Sequence, residues 1–117
     1  PNTFISTVGS TIERGANPLF VDIDPTTGLW DNELALVNLH TGHTRGRDIL
    51  MPVHFGGATV DVTYLNDQLT PSAFIVEDAA QAFGSIYANG KKVGSCDDSE
   101  MTIFSFHPAK TITTGEG

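Results

Sequence analysis

The sequence contains a single cysteine, Cys96, in 117 residues. One thiol excludes an internal disulfide, and no Cys/His spacing of a zinc site is present, so no metal is expected. A reducing compartment is the natural expectation. Basic residues are also scarce: six Lys and Arg stand against 14 Asp and Glu, a formal charge of −8. A phosphate backbone requires clustered cations, so nucleic acid is not an expected partner. A phosphorylated ligand would have to be held by local donors. No apolar run approaches the roughly 20 residues of a membrane-spanning helix. Repeats and low-complexity tracts are missing too.

What remains has an ordinary globular composition, 39 % hydrophobic and 17 % charged. A chain of this length can bury a core. It starts at Pro1, not at methionine, and stops at Gly117 directly after Gly115-Glu116. The expectation is an internal piece of a longer protein.

Short apolar runs rich in β-branched and aromatic residues predict strands at 19–23, 49–55, 74–76 and 102–106. The first is closed by Asp24-Pro25, the second by Gly56-Gly57, the third by Glu77-Asp78 and the last by Pro108. Helices are predicted at 5–14, with Gly15 as a stop, and at 61–69, with Asp61 as cap and Pro71 beyond. A weaker helical pattern covers 31–39. Strands alternating with helices imply βαβ units and a mainly parallel sheet. Ligands of such sheets gather beyond the carboxyl ends of the strands. In this sequence those ends carry His54, Asp78 and His107.

Two segments hold the chemistry. The first is VEDAAQAFG, residues 76–84, where an apolar strand runs into acids. Asp78 and Gln81 share a face if a helical turn begins there. By itself, Asp78 reads as a helix cap. The second is FSFHPAKTITTGEG, residues 104–117, in which Lys110 follows His107-Pro108 and precedes three threonines. By itself it reads as a polar loop with a solvated lysine.

Together the segments resemble the sugar aminotransferases of the DegT family, which have the aspartate aminotransferase fold. The resemblance also takes in Pro1-Asn2-Thr3-Phe4, the run from Asn17 to Asp24, and Pro52-Val53-His54-Phe55-Gly56-Gly57. The stretch VGSCDDSEMTIFSFHPAKTITTGEG, residues 93–117, is similar to the transaminases that aminate a UDP-linked 4-keto-6-deoxy-N-acetyl-hexosamine on the pseudaminic acid route. The implied fold is α/β: the central part of the large domain of a fold-type I pyridoxal phosphate (PLP) enzyme, with residues 1–117 a partial cofactor-binding domain. The implied reaction moves an amino group from L-glutamate to C4 of a nucleotide-linked keto sugar, in two half-reactions. A cytoplasmic homodimer with no nucleic-acid or membrane partner is implied, its small domain and phosphate-binding turn lying outside this sequence. A piece of this extent is not expected to be active alone.

Each candidate residue gains a role from that resemblance. Lys110 matches the lysine that forms the Schiff base with PLP and shuttles the substrate proton. Asp78 matches the carboxylate that keeps the ring nitrogen protonated. Gln81 matches the residue hydrogen-bonded to the phenolic oxygen. Ser105 matches a phosphate ligand, and Phe4 the aromatic that stacks on the pyridine ring. His107 and His54 are possible substrate or cofactor contacts. For His54 the alternative is a buried, hydrogen-bonded residue at a strand end. Cys96, with no basic partner in sequence, is expected to be a packed small residue. Glu116 and its flanking glycines are expected to shape a tight turn. Two rival readings are a PLP-dependent sugar dehydratase, in which histidine replaces Lys110, and a non-catalytic PLP-binding or regulatory protein. A dinucleotide enzyme has no support, because no G-x-G-x-x-G follows an early strand.

Overall fold

The computed structural model describes residues 1–41 and 47–117. In chain order its elements are α1 (Ile5–Glu13), α2 (Asn32–His40), β1 (Asp48–Leu50), a single 3₁₀ turn (Phe55–Gly57), α3 (Val62–Gln68), β2 (Ala73–Asp78) and β3 (Met101–Ile103). The strands form one parallel sheet in the order β1-β2-β3. Leu50 pairs with Ile75, and Asp78 pairs with Ile103. The α/β class and parallel pairing agree with the expectation from the sequence. Among the described residues no helix is long and apolar enough to cross a membrane.

Local chemistry sets the helix starts. The Asp31 carboxylate accepts from the Leu34 N–H at 3.1 Å, and Asp61 accepts from the Tyr64 N–H at 3.0 Å. Each satisfies an orphan donor of a first turn, worth about 1 kcal/mol. At the start of α1 stands Phe4, which has no capping side chain. Gly15, at φ 78°, follows the end of α1, as its predicted stop requires.

β2 is the centre of the core. Ala73, Ile75 and Glu77 point inward and are buried, while Phe74, Val76 and Asp78 are half-buried. Leu65 of α3 and Ile75 are both fully buried, and Leu36, Leu50, Val60, Val62, Ala79 and Ala82 close around them. Fully burying a side chain such as Leu65 contributes roughly 1.5–3 kcal/mol. α1, in contrast, has no buried residue.

Three predicted strands are corrected. Residues 19–23 form no strand; the segment's one β interaction is the isolated antiparallel bridge between Ile23 and Trp30. Leu19 and Phe20 are exposed, and no neighbour supplies them with a hydrogen-bond ladder. The strand expected at 49–55 is regular only over Asp48–Leu50, followed by a single parallel bridge from Val53 to Asp78. The strand expected at 102–106 shrinks to Met101–Ile103, because its partner β2 ends at Asp78 and the chain turns away.

Candidate active site

The carboxyl ends of β2 and β3 lie side by side because the strands are parallel neighbours. Asp78 is held there from both flanks. Its N–H donates to Pro52 O at 2.9 Å, and its carbonyl accepts from His54 N–H at 3.0 Å. One residue on, Ala79 N–H donates to Ile103 O at 2.9 Å. The Asp78 carboxylate is equally constrained. Oδ2 accepts from the Thr7 hydroxyl at 2.7 Å, and Oδ1 accepts from Ala80 N–H at 3.1 Å. No helix follows. Residues 79–85 make successive turns, with Ala82 N–H on Ala79 O and Ser85 N–H on Ala82 O. The Oδ1 contact is therefore a local turn of the kind Asp favours, and the helix-cap alternative is set aside.

Gln81 reaches back across the site. Its Oε1 accepts from Gly56 N–H at 2.6 Å. With the oxygen engaged, the amide NH₂ has no hydrogen-bond partner among the described residues and is presented as a donor. The pairing needs the turn at Gly56-Gly57, where φ is 63° and 85°. A Cβ at position 57 would stand 3.2 Å from Gln81 O, a tight contact, and the positive φ there strains any side chain.

Beyond β3 the chain passes Ser105, two residues past the register partner of Asp78. The Ser105 oxygen accepts from His107 N–H at 3.3 Å. His107-Pro108-Ala109-Lys110 is a tight turn closed by Lys110 N–H on His107 O at 2.9 Å. Lys110 is half-buried and makes no ion pair among the described residues. His107 is exposed, with Nδ1 accepting from Ala109 N–H at 3.3 Å. Phe4 is exposed at the start of α1, the helix that reaches Asp78 through Thr7. Asp78, Gln81, Ser105 and Lys110 thus come from adjacent strand exits. Two cavities of about 340 and 600 Å³ lie elsewhere, and none of these four residues borders either.

His54 is a different case. It is fully buried, and both ring nitrogens are engaged. Nδ1 accepts from Val60 N–H at 3.0 Å, which places the ring proton on Nε2, 2.7 Å from Glu77 Oε2. Of its two readings the buried one is observed, and contact with a ligand is corrected: no surface of the ring is open to one. Cys96 is corrected in the opposite direction. It is exposed, at a positive φ of 54°, with its sulfur 3.5 Å from Thr102 Oγ1. Among the described residues no group of three or more His, Cys, Asp or Glu is placed to hold a metal ion.

Glu77 went unnoticed in the sequence. It is 1 % exposed, yet its carboxylate collects four donors. His54 and Tyr87 donate to Oε2, while Ser99 at 2.5 Å and Thr102 at 2.8 Å donate to Oε1. Burial alone would raise its pKa, but these hydrogen bonds outweigh it and hold the carboxyl at about 2. Burial, then the bond to Glu77, pushes the Tyr87 phenol up. Asp78 is the next residue, so the hub anchors the strand that ends in the site. The only sequence signal was an acid at an inward position of an otherwise apolar strand.

The sign of the pH effect follows. The folded pKa lies below the unfolded value, so Glu77 contributes its full stability above about pH 4.5 and loses it as pH falls towards 2. Glu77→Ala strands four donors and opens a cavity. Urea unfolding at pH 7 should show a loss of roughly 3–5 kcal/mol. That loss should shrink as pH falls through the same window, where the native carboxylate is itself protonated. A variant as stable as the native protein at pH 7 would remove the hub's structural role.

The model of the DegT/DnrJ/EryC1/StrS aminotransferase family matches residues 1–117. The GDP-perosamine synthase of Caulobacter vibrioides is 40 % identical over 116 residues, covering 98 % of this chain and 29 % of the relative. The UDP-4-amino-4,6-dideoxy-N-acetyl-beta-L-altrosamine transaminase of Campylobacter jejuni is 35 % identical over 118 residues, covering 100 % of this chain and 30 % of the relative. Spr1654 from Streptococcus pneumoniae, solved in PLP and PMP forms, superposes in its PLP form with a TM-score of 0.79 at 30 % identity, over 98 % of this chain and 32 % of its own. The chain therefore spans under a third of the length of the relatives it matches.

Proposed function

This chain belongs to the DegT/DnrJ/EryC1/StrS aminotransferase family, and from that premise we propose that its protein transfers an amino group from L-glutamate to C4 of a nucleotide-linked 4-keto-6-deoxy sugar. Residues 1–117 form the central part of its cofactor-binding large domain. The family's cofactor is pyridoxal phosphate, and the known relatives include nucleotide-sugar transaminases. The protein works as a cytoplasmic homodimer whose product enters glycan synthesis.

The residues present fit that cofactor. A carboxylate has about four lone-pair positions, and Thr7 and Ala80 occupy two at Asp78, leaving room for a ring N–H. The Gln81 amide is turned with its donor outward. The Ser105 hydroxyl proton is not consumed by the His107 contact. Lys110 has an amine with no acid beside it among the described residues. When bound, pyridoxal phosphate supplies an aldehyde to which amines add and a protonated ring that withdraws electrons.

The chain's own groups then have distinct tasks. Asp78 holds a proton at the ring nitrogen, because a carboxylate within hydrogen-bond reach favours the cationic ring. Gln81 donates to the phenolic oxygen, Ser105 donates to a phosphate oxygen, and Phe4 offers an aromatic face for stacking. Lys110 anchors the aldehyde carbon and moves the proton at the substrate carbon. His107, exposed next to Ser105, is the candidate substrate contact. The observation that carries this reading is the oriented pair of Asp78 carboxylate and Gln81 amide beside the β3 exit that leads to Lys110.

The test uses the full-length protein loaded with pyridoxal phosphate. Adding L-glutamate should replace the visible band of the bound cofactor with that of its pyridoxamine form. Adding a UDP-linked 4-keto-6-deoxy-N-acetyl-hexosamine should then restore the first band and yield amino sugar. No change with glutamate would favour a non-catalytic PLP-binding protein, and water loss from the sugar without amination would favour the dehydratase. A GDP-linked sugar is the second reading of the substrate, supported by the 40 % identity to a GDP-perosamine synthase. Restoration of the band by a GDP-linked keto sugar alone would select it.

A further inference from the structure

The hydroxyls along α1 do not all behave alike. Ser10 donates to Thr7 O at 3.3 Å, and Thr11 donates to Val8 O at 2.7 Å. Both are the local back-bonds that Ser and Thr ordinarily make within a helix. Thr7 departs from that pattern. Its hydroxyl leaves the helix and donates to Asp78 Oδ2 at 2.7 Å, across 71 residues of sequence. Thr3 Oγ1 lies 2.7 Å from Thr7 Oγ1. With the Thr7 proton committed to Asp78, Thr3 is the donor of that second bond, and the hydrogen bonds run Thr3 to Thr7 to Asp78. Consecutive bonds of this kind strengthen one another.

This contact matters more because α1 has little else to hold it. The helix buries no residue, and its start lacks a side-chain cap. Among the described residues, the Thr7 bond is the one side-chain hydrogen bond from α1 to the sheet. α1 begins directly after Phe4, so the same bond sets where that ring stands relative to Asp78. Thr7 also lies in the first turn, where the helix dipole favours a neighbouring carboxylate.

We propose that Thr7 is a positioning residue of the cofactor site: its hydroxyl aims the Asp78 carboxylate at the ring nitrogen and registers α1, with Phe4, against it. The inference rests on the role given to Asp78 above. Thr7 touches neither cofactor nor substrate and works through Asp78.

A mutant cycle read by cofactor binding tests this. Full-length Thr7→Val keeps the shape and removes the hydroxyl. Its dissociation constant for pyridoxal phosphate, measured by equilibrium dialysis, should rise about tenfold, the lower end of what a hydrogen bond to a charged group contributes. Thr7→Ser should restore binding to within about twofold. In an Asp78→Ala background, with no carboxylate to aim, Thr7→Val should change binding by less than about twofold. If Asp78→Ala does not fold, Asp78→Leu, similar in size and unable to accept from Thr7, supplies the background. A Thr7→Val protein that binds normally, or one that loses as much in both backgrounds, overturns the inference while leaving Asp78 in place. If the Asp78 substitution itself leaves binding unchanged, the reading of Asp78 falls, and the role of Thr7 with it.

Discussion

Full-length protein carrying Lys110→Ala should show no covalent attachment of pyridoxal phosphate and no more than about one-thousandth of native turnover. No other side chain of the 104–117 segment is an amine, so none can replace it. The measurement is borohydride reduction of the loaded protein, followed by peptide mapping. The native protein should carry the reduced cofactor on the peptide containing Lys110, and the alanine variant should carry none. The tight turn closed by the Lys110 backbone N–H does not involve the side chain, so the variant should keep its fold. A normal visible band and normal turnover after the substitution would mean that Lys110 is an ordinary loop lysine.

Asp78→Asn should separate binding from chemistry. Asparagine matches aspartate in size, and its oxygen can still accept from Thr7 or from Ala80 N–H. What it lacks is the negative charge that keeps a proton on the ring nitrogen. At saturating pyridoxal phosphate the variant should remain loaded. The rate of its half-reaction with glutamate should fall by about 10²–10³, the usual effect of removing one preorganised electrostatic partner. Single-turnover absorbance gives that rate independently of product release. A half-reaction at native speed would show that the β2 carboxylate does not serve the ring. The Glu77 result sharpens the contrast: its substitution should cost stability, because its carboxylate faces the core and not the strand exit.

Much of the architecture could be read from local chemistry. Asp31 and Asp61 each stand one residue before a helix and accept from it as N-cap logic requires. Residues 74–76 read as a strand because a short apolar run is bounded by turn residues, and the observed strand extends that run to Ala73–Asp78. The run at 19–23 had the same composition and failed, since a strand exists only with a neighbour to share its ladder. His54 shows a similar limit. Its place near a strand end was legible, but whether it faced a ligand or the core depended on Glu77, Tyr87 and Val60.

The sequence by itself supplied the residues that the proposed site uses: one lysine after the last strand, an acid where β2 ends and a glutamine three residues later. Those choices are local, so a motif records them. Only the tertiary structure decided which polar groups meet. It turned Glu77 inward onto donors at positions 54, 87, 99 and 102, aimed the Gln81 amide through the Gly56 N–H, and brought Thr7 to Asp78 from 71 residues away. Hydrogen bonds act over about 3 Å of space. Their partners are set by how strands and helices pack, which distance along the chain does not encode.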